Sequence, residues 1–255
     1  MFGMAGETPF DLRFTLFGVP FRVHPIFWLT GAIMFWDPDR IDRMLIGILC
    51  LFVSVLVHEL GHALVFRYYR WPSEIVLYFL GGYATATRLS TWKQIWSVAA
   101  GPASGIGFSL LIYASKMVVL KISPDLLEKY PTLSLAFFLM LFSGVIINLM
   151  NLVPCLPLDG GQIMAALVNQ YGPRGRAGHL LSLRISIISG AAVALWCAYC
   201  QQTNKTVVPS AVFAFVPMPY RFDFLILQPD PQFLMIFFGI LAAQSVIQHN
   251  ELNRW

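Results

Sequence analysis

The chain alternates between long apolar segments and short polar connections. Six segments are apolar along most of their length and predict membrane-crossing helices; they cover residues 25–36, 44–66, 94–119, 133–153, 181–200 and 231–248. A helix needs about 20 apolar residues to cross the hydrocarbon core of a bilayer, which is about 30 Å thick. The pattern therefore predicts an all-α polytopic membrane protein with about six transmembrane helices, the first of them short.

Two other segments have sequence features that are typical of β-hairpins. Residues 10–23 alternate between apolar and polar positions on both sides of Gly18, and residues 73–88 place β-branched and aromatic residues around Gly81 and Gly82. Glycine between two such runs favours a tight turn. We expect two small β-hairpins at the membrane edge.

Composition supports the membrane assignment and excludes other classes of protein. Hydrophobic residues make up 57% of the chain, charged residues 12%, and the mean hydropathy is +0.67. Soluble globular domains contain about 45–50% apolar and about 25% charged residues, so a water-soluble enzyme and a disordered chain are both excluded. The net charge of +4 is spread along the chain without a basic run, which argues against a nucleic-acid partner.

The span at 44–66 contains three polar residues, which are costly to bury in a membrane and therefore indicate a function. These are His58, Glu59 and His62, in the pattern H-E-x-x-H. Residues four apart share one face of a helix, so both imidazoles can bind one metal ion, and Glu59 lies where it can take a proton from water on that metal. The alternative interpretation is a polar cluster that is hydrogen-bonded between helices.

A catalytic zinc site has three protein ligands and one open position, so a third ligand is needed. Glu74 falls in the second predicted hairpin, Glu128 in a polar loop and Glu251 near the end of the sequence. Without a suitably placed downstream glutamate, a zinc protease that takes its last ligand from a helical glutamate is disfavoured. Asp159 is the remaining strong candidate. Its alternative role is to N-cap a helix that begins near Gln162.

Loop charges predict which side of the membrane this cluster faces. If the N-terminus is cytoplasmic, the inside segments carry more Lys and Arg than the outside segments, as the positive-inside rule requires. His62 then lies about one helical turn from the cytoplasmic Arg67. We expect a multi-pass protein of the cell membrane whose active site is nearer the cytoplasmic face.

Several motifs occur together in one order along the chain. They are His58-Glu59-Leu60-Gly61-His62, Gly81-Gly82, Ala100-Gly101-Pro102 and Asn151-Leu-Val-Pro154-Cys-Leu-Pro157-Leu158-Asp159-Gly160-Gly161. In this combination the chain resembles the site-2 protease family of intramembrane zinc metalloproteases, peptidase family M50, over about residues 15–170. The resemblance implies a zinc metalloendopeptidase that hydrolyses peptide bonds within or next to transmembrane segments of membrane-protein substrates, in contact with the lipid bilayer.

The resemblance also implies a role for each matching residue. It implies one Zn²⁺ per chain with His58, His62 and Asp159 as ligands, Glu59 as catalytic base, Asn151 at the substrate or intermediate, and Gly81 and Gly82 in a hairpin beside the substrate. No stretch resembles the PDZ or CBS modules of some relatives, so we expect residues 1–255 to form one membrane-embedded core. The sequence does not indicate the substrate, the pathway or the oligomeric state.

The chain departs from the family pattern at one position. Many members have Gly-Pro-x-x-Asn, whereas this chain has glycine at the last position, Gly105. Either Ser104 or Asn148 can supply the missing polar group, and the sequence does not decide between them. The departure also keeps open an alternative function, a catalytically silent relative that binds membrane proteins without cutting them.

Overall fold

The computed structural model describes residues 6–71, 74–78, 81–83, 90–208 and 229–254. The chain divides into two compact units, Met1–Asn148 and Leu149–Trp255. The first unit contains a small sheet and the helices of the chain as far as residue 148. In the second, the described residues form three helices and the end of a fourth.

Along the described residues the elements follow one another in the order strand, strand, helix, helix, strand, strand, and then helices. In the first unit they are β1 (Leu12–Leu16), β2 (Val19–Val23), α1 (Pro25–Met34), α2 (Ile41–Tyr68), β3 (Ile75–Tyr78), β4 (Gly81–Tyr83), α3 (Thr91–Ile122), α4 (Leu126–Lys129) and α5 (Pro131–Asn151). The last residues of α5 lie in the second unit, which continues with α6 (Asp159–Tyr171), α7 (Arg176–Thr203) and α8 (Pro231–Asn253).

Five of these helices are long and apolar enough to cross a membrane: α2, α3, α5, α7 and α8. Each coincides with a predicted span, and most extend beyond it by a few polar residues. The segment predicted as a first, short span forms α1, which has ten residues. At 1.5 Å per residue α1 is about 15 Å long, half the thickness of the hydrocarbon core.

Both predicted hairpins are present, and they join into one four-stranded sheet of order β1-β2-β3-β4. The β1–β2 and β3–β4 pairs are antiparallel, as expected of hairpins, and β2 pairs with β3 in parallel. Of the second hairpin, residues 73, 79–80 and 84–88 lie outside the described residues. The parallel pairing was not predicted, because it joins strands separated by two helices.

Burial explains why the two hairpins meet. Val19, Phe21 and Val23 of β2 are almost fully buried, and so are Ile75 and Leu77 of β3. They form one hydrophobic core with residues of α1 and α2. A strand that is covered on both faces of its sheet has apolar side chains at successive positions. The sequence of β3, Ile-Val-Leu-Tyr, has this pattern.

The turn between β1 and β2 is attached to the end of α2. Its two central residues, Phe17 and Gly18, both have positive φ, 50° and 75°, as the tightest two-residue hairpin turns require. The guanidinium of Arg67, in the last turn of α2, donates a hydrogen bond to the Phe17 carbonyl. A Cβ on Gly18 would overlap that guanidinium, which can move aside, so glycine is favoured here by its positive φ.

In the second unit, α7 and α8 pack on each other and hold the loop that precedes α6. Ser186 of α7 accepts a hydrogen bond from the Leu156 backbone N–H at 2.6 Å, and Ser189 donates to the Pro154 carbonyl at 2.6 Å. Cys155, between these two attachment points, is fully buried in the core of this unit. The start of α6 is therefore held by a well-anchored loop.

Candidate metal centre

His58 and His62 lie on the same face of α2, as their spacing predicts. Both side chains are buried, with exposed fractions of 3% and 8%. Their rings are nearly perpendicular, at 86°, and the two Nε2 atoms are 3.1 Å apart. The helix thus points two imidazole nitrogens at one position inside the first unit.

The other ring nitrogen of His58 faces Asn148 of α5. The Asn148 Nδ2 donates to the Gly144 carbonyl at 2.5 Å, so the amide oxygen must face the ring. That oxygen lies 2.8 Å from His58 Nδ1. Because an amide oxygen only accepts hydrogen bonds, His58 Nδ1 carries the proton, and in the neutral ring Nε2 carries the lone pair.

His62 is held in the same way by a backbone group. Its Nδ1 lies 2.8 Å from the carbonyl oxygen of Ser97 in α3. A carbonyl also accepts only, so Nδ1 of His62 is protonated and Nε2 presents its lone pair. A Cβ on Gly101 would lie 2.2 Å from atoms of this ring, so glycine at this position lets α3 approach the imidazole closely.

These contacts allow a test of whether a metal fits. Two neutral imidazoles that face each other through Nε2 lone pairs cannot hydrogen-bond to each other, whereas a cation between them binds both. Two nitrogens about 2.05 Å from a tetrahedral zinc are about 3.3 Å apart, close to the 3.1 Å observed. A histidine ligand whose Nδ1 is bound by a carbonyl-type oxygen is also the usual arrangement around protein-bound metals. The histidine pair therefore fits a zinc ion.

Glu59 follows His58 on α2 and is buried, with an exposed fraction of 6%. A buried carboxylate on an apolar helix carries a desolvation cost. The position next to two histidines that fit a zinc ion gives that cost a chemical reason. The structure places the three polar residues of the H-E-x-x-H pattern together within the first unit.

Asp159 belongs to the second unit and is the first residue of α6. Its side chain is buried, with an exposed fraction of 7%. The N-cap position is occupied by Leu158, and the helix begins three residues before Gln162. Asp159 is thus not the N-cap that the alternative interpretation proposed. Its role as third zinc ligand stays a prediction.

The two glycines after Asp159 let the start of α6 pack on the backbone before it. A Cβ on Gly160 would lie 2.2 Å from the Leu152 carbonyl oxygen, and one on Gly161 would lie 2.5 Å from backbone atoms of Cys155 and Leu156. Backbone atoms at such distances cannot move aside as a side chain can. The Asp-Gly-Gly sequence thus fixes the position of the first turn of α6, and with it the backbone from which the Asp159 side chain extends.

We predict that Gly160→Ala lowers the stability of the protein, because the new methyl group overlaps backbone. Overpacking of this kind lowers the free energy of unfolding by about 1–3 kcal/mol. The measurement is the unfolding temperature in detergent, which should be lower than that of the wild type. Gly239→Ala is the matched control, since Gly239 lies in a helix of the same unit and, apart from its own helix backbone and chain neighbours, no described residue has an atom within 4 Å of its Cβ position. Equal unfolding temperatures for the two variants would contradict the packing argument.

The remaining predicted site residues lie at the end of α5 and in β4. Asn151 is the last residue of α5, and Gly81 and Gly82 form most of β4, paired with Tyr78 and Leu77 of β3. Their predicted roles toward a substrate are not tested by these positions. Two groups that support the histidines were not predicted: the Ser97 carbonyl, which no side-chain motif marks, and Asn148, which the sequence offered only as one of two replacements at Gly105.

Comparison with known proteins agrees with this arrangement. The model of Peptidase family M50 matches residues 46–132 and 119–193, more than half of the chain. The zinc metalloprotease MJ0392 of Methanocaldococcus jannaschii is 28% identical over 189 residues, 71% of this chain and 51% of the relative. Stage IV sporulation protein FB of Bacillus subtilis is 27% identical over 199 residues, 76% of this chain and 61% of the relative. The chain thus spans about half to three fifths of these relatives.

The fold is also shared with a solved structure. The site-2 protease from Methanocaldococcus jannaschii superimposes with a TM-score of 0.53 at 24% identity, over 92% of this chain and 95% of that one. Together with the five membrane-length helices, these matches identify an integral membrane protein and confirm the family predicted from the motifs. The chain belongs to peptidase family M50, the site-2 protease family.

Proposed function

We propose that this protein is an intramembrane zinc metalloprotease that hydrolyses peptide bonds within or next to transmembrane segments of other membrane proteins. The observation that carries the proposal is the histidine pair on α2, whose Nε2 atoms face each other at 3.1 Å with both Nδ1 atoms bound to oxygen. Membership of a peptidase family and a relative named as a zinc metalloprotease support it.

His58, His62 and Asp159 are the proposed ligands of one zinc ion per chain. Imidazole nitrogen and carboxylate oxygen are both common zinc ligands, and three of them leave a fourth position open. The burial of the Asp159 carboxylate at a rigidly packed helix start supports this choice. A zinc ion supplies Lewis-acid polarisation of a peptide carbonyl and makes water acidic enough to lose a proton near neutral pH.

Glu59 is the proposed general base. Its carboxylate would accept the proton of the attacking water and later pass it to the leaving amine. The buried position on α2, beside His58, keeps this carboxylate away from bulk water and limits it to groups held at the site. Asn151 would donate a hydrogen bond to the oxyanion that develops on the peptide.

The substrate has to be extended before it can be cut. A transmembrane helix satisfies its own backbone hydrogen bonds and hides its carbonyl groups, so it must unwind locally. β4 is a terminal strand of the sheet, and within the described residues only β3 pairs with it. We propose that an extended substrate segment pairs with the other edge of β4. Gly81 and Gly82 have no side chains there, so the substrate backbone can approach that of β4 closely.

The site is proposed to open toward the cytoplasm. Tyr69 and Trp71, just after α2, have the Lys93 ammonium over their rings at 5.3 and 5.9 Å. Aromatic and basic residues concentrate at membrane surfaces, so this end of α2 marks a membrane boundary. His62 is seven residues before Tyr69, about 10 Å along the helix. The loop charges favour the cytoplasmic side of the cell membrane.

Removal and return of the metal test the proposed function. We expect the purified protein, in liposomes, to cut single-span reporter proteins that carry Gly, Pro or Asn in the membrane segment. Cleavage should stop with 1,10-phenanthroline and resume with added Zn²⁺. The matched control reporter has a poly-leucine span and should be cut much more slowly. Cleavage that survives chelation would contradict the metal mechanism, and zinc binding without cleavage of any reporter would favour the catalytically silent alternative.

A further inference from the structure

The space beside Gly105 is filled by a side chain from another helix. Gly105 lies on α3, and a Cβ built on it would be 2.1 Å from Nδ2 and 2.3 Å from Oδ1 of Asn148, on α5. The amide group of Asn148 thus occupies the place where a side chain at position 105 would begin. Asn148 is fully buried, so any side chain at 105 would have to displace it.

The same amide makes the contact that fixes His58. Its nitrogen donates to the Gly144 carbonyl one turn earlier on α5, at 2.5 Å, and its oxygen accepts from His58 Nδ1 at 2.8 Å. Both contacts are needed for the orientation, because the first decides which end of the amide faces the ring. Ser104 hydrogen-bonds instead to the carbonyls of Val57 and Gly101, at 3.0 and 2.8 Å.

We propose that Asn148 is a positioning residue that holds His58 in its metal-binding tautomer, and that the amide at this place can be supplied from either α5 or α3. The chain takes it from Asn148, and Gly105 is glycine because the two positions share one space. Ser104 has no part in this contact. The inference rests on the proposed function, because positioning His58 matters only if the ring binds a metal.

Because the two positions share one space, the effect of Gly105→Asn on zinc affinity should reverse when Asn148 is removed. In the wild type, Gly105→Asn overlaps the Asn148 amide and should weaken zinc binding. In the Asn148→Gly variant, the space is open and Gly105→Asn should strengthen it. Loss of a group that supports a metal ligand typically costs about 10- to 100-fold in affinity. We therefore expect Asn148→Gly to bind zinc about 10- to 100-fold more weakly and the double variant to recover most of that loss.

The experiment is a zinc titration of the four proteins against a chelator of known affinity, in detergent. Ser109→Ala is the control, because Ser109 is a buried residue of α3 whose hydroxyl donates to the Gly105 carbonyl; its zinc affinity should stay at the wild-type value. A cooperative thermal unfolding transition shows that a variant is folded, so that loss of zinc is distinguished from loss of folding. If Asn148→Gly does not fold alone, the double variant is compared with the wild type, and a folded double variant with near wild-type zinc affinity still shows that an amide at position 105 replaces that of Asn148.

Two outcomes would overturn the inference. One is a folded Asn148→Gly variant that binds zinc as tightly as the wild type. The other is a Gly105→Asn effect of the same sign in both backgrounds. A wild-type protein that binds no zinc would instead contradict the proposed function, so the two failures are distinguishable.

Discussion

Glu59→Gln is expected to reduce cleavage of a membrane reporter by about 10²- to 10⁴-fold, the usual contribution of a positioned general base. Glutamine has nearly the same shape as glutamate and cannot accept the proton of the attacking water. The change should leave the zinc content as in the wild type, because the proposed ligands are His58, His62 and Asp159. Loss of activity together with retention of the metal is the specific signature of a base that is not a ligand.

Glu128→Gln provides the matched control for this substitution. Glu128 lies in the short helix α4, where its side chain is exposed, and its replacement removes one carboxylate of the same kind. We expect its cleavage rate and zinc content to equal those of the wild type. Turnover by Glu59→Gln near the wild-type rate would remove Glu59 from the role of base, and loss of zinc would make it a ligand.

The helices were predictable because the membrane imposes a simple rule on them. A segment in hydrocarbon must satisfy its backbone internally and expose apolar side chains, so apolar length alone located α2, α3, α5, α7 and α8. The same rule made His58, Glu59 and His62 conspicuous. Their spacing then predicted a shared face, which the distance of 3.1 Å between the two Nε2 atoms confirms.

The sheet and the supporting contacts were harder to predict, since they depend on residues far apart in sequence. Alternation in residues 10–23, and β-branched and aromatic residues around Gly81 and Gly82, indicated the two hairpins, but neither pattern contains a signal that β2 and β3 pair in parallel across two helices. The Ser97 carbonyl that holds His62 is a backbone group and belongs to no motif. Glycine at position 105 was visible in the sequence as a departure from the family pattern. The overlap of its Cβ position with the Asn148 amide depends on how α3 and α5 pack, which the sequence does not indicate.

The start of α6 shows how a local rule can suggest the wrong role. An aspartate before an apolar segment is commonly an N-cap, which made that role the natural alternative for Asp159. The helix begins earlier than the apolar pattern indicated, with Leu158 as its N-cap. The reason is that Gly160 and Gly161 allow the first turn to pack directly on the preceding backbone.

Asp159→Ala is expected to remove most of the zinc, because two histidines alone do not complete a three-ligand site. The loss should exceed the about 10- to 100-fold that removal of a supporting group costs. Asp159→Asn separates charge from shape, since it keeps a polar side chain at the first residue of α6. Asp125→Ala is the matched control, because Asp125 precedes α4 in an exposed position and makes no side-chain cap hydrogen bond.

The most direct measurement is therefore the zinc content per chain of the detergent-purified wild type beside Asp159→Ala. We predict about one zinc per chain in the wild type and in Asp125→Ala, and little in an Asp159→Ala protein that is still folded. Full retention of zinc by Asp159→Ala would show that the third ligand is another residue. A wild-type protein without zinc, under conditions in which it is folded, would contradict the proposed metal centre.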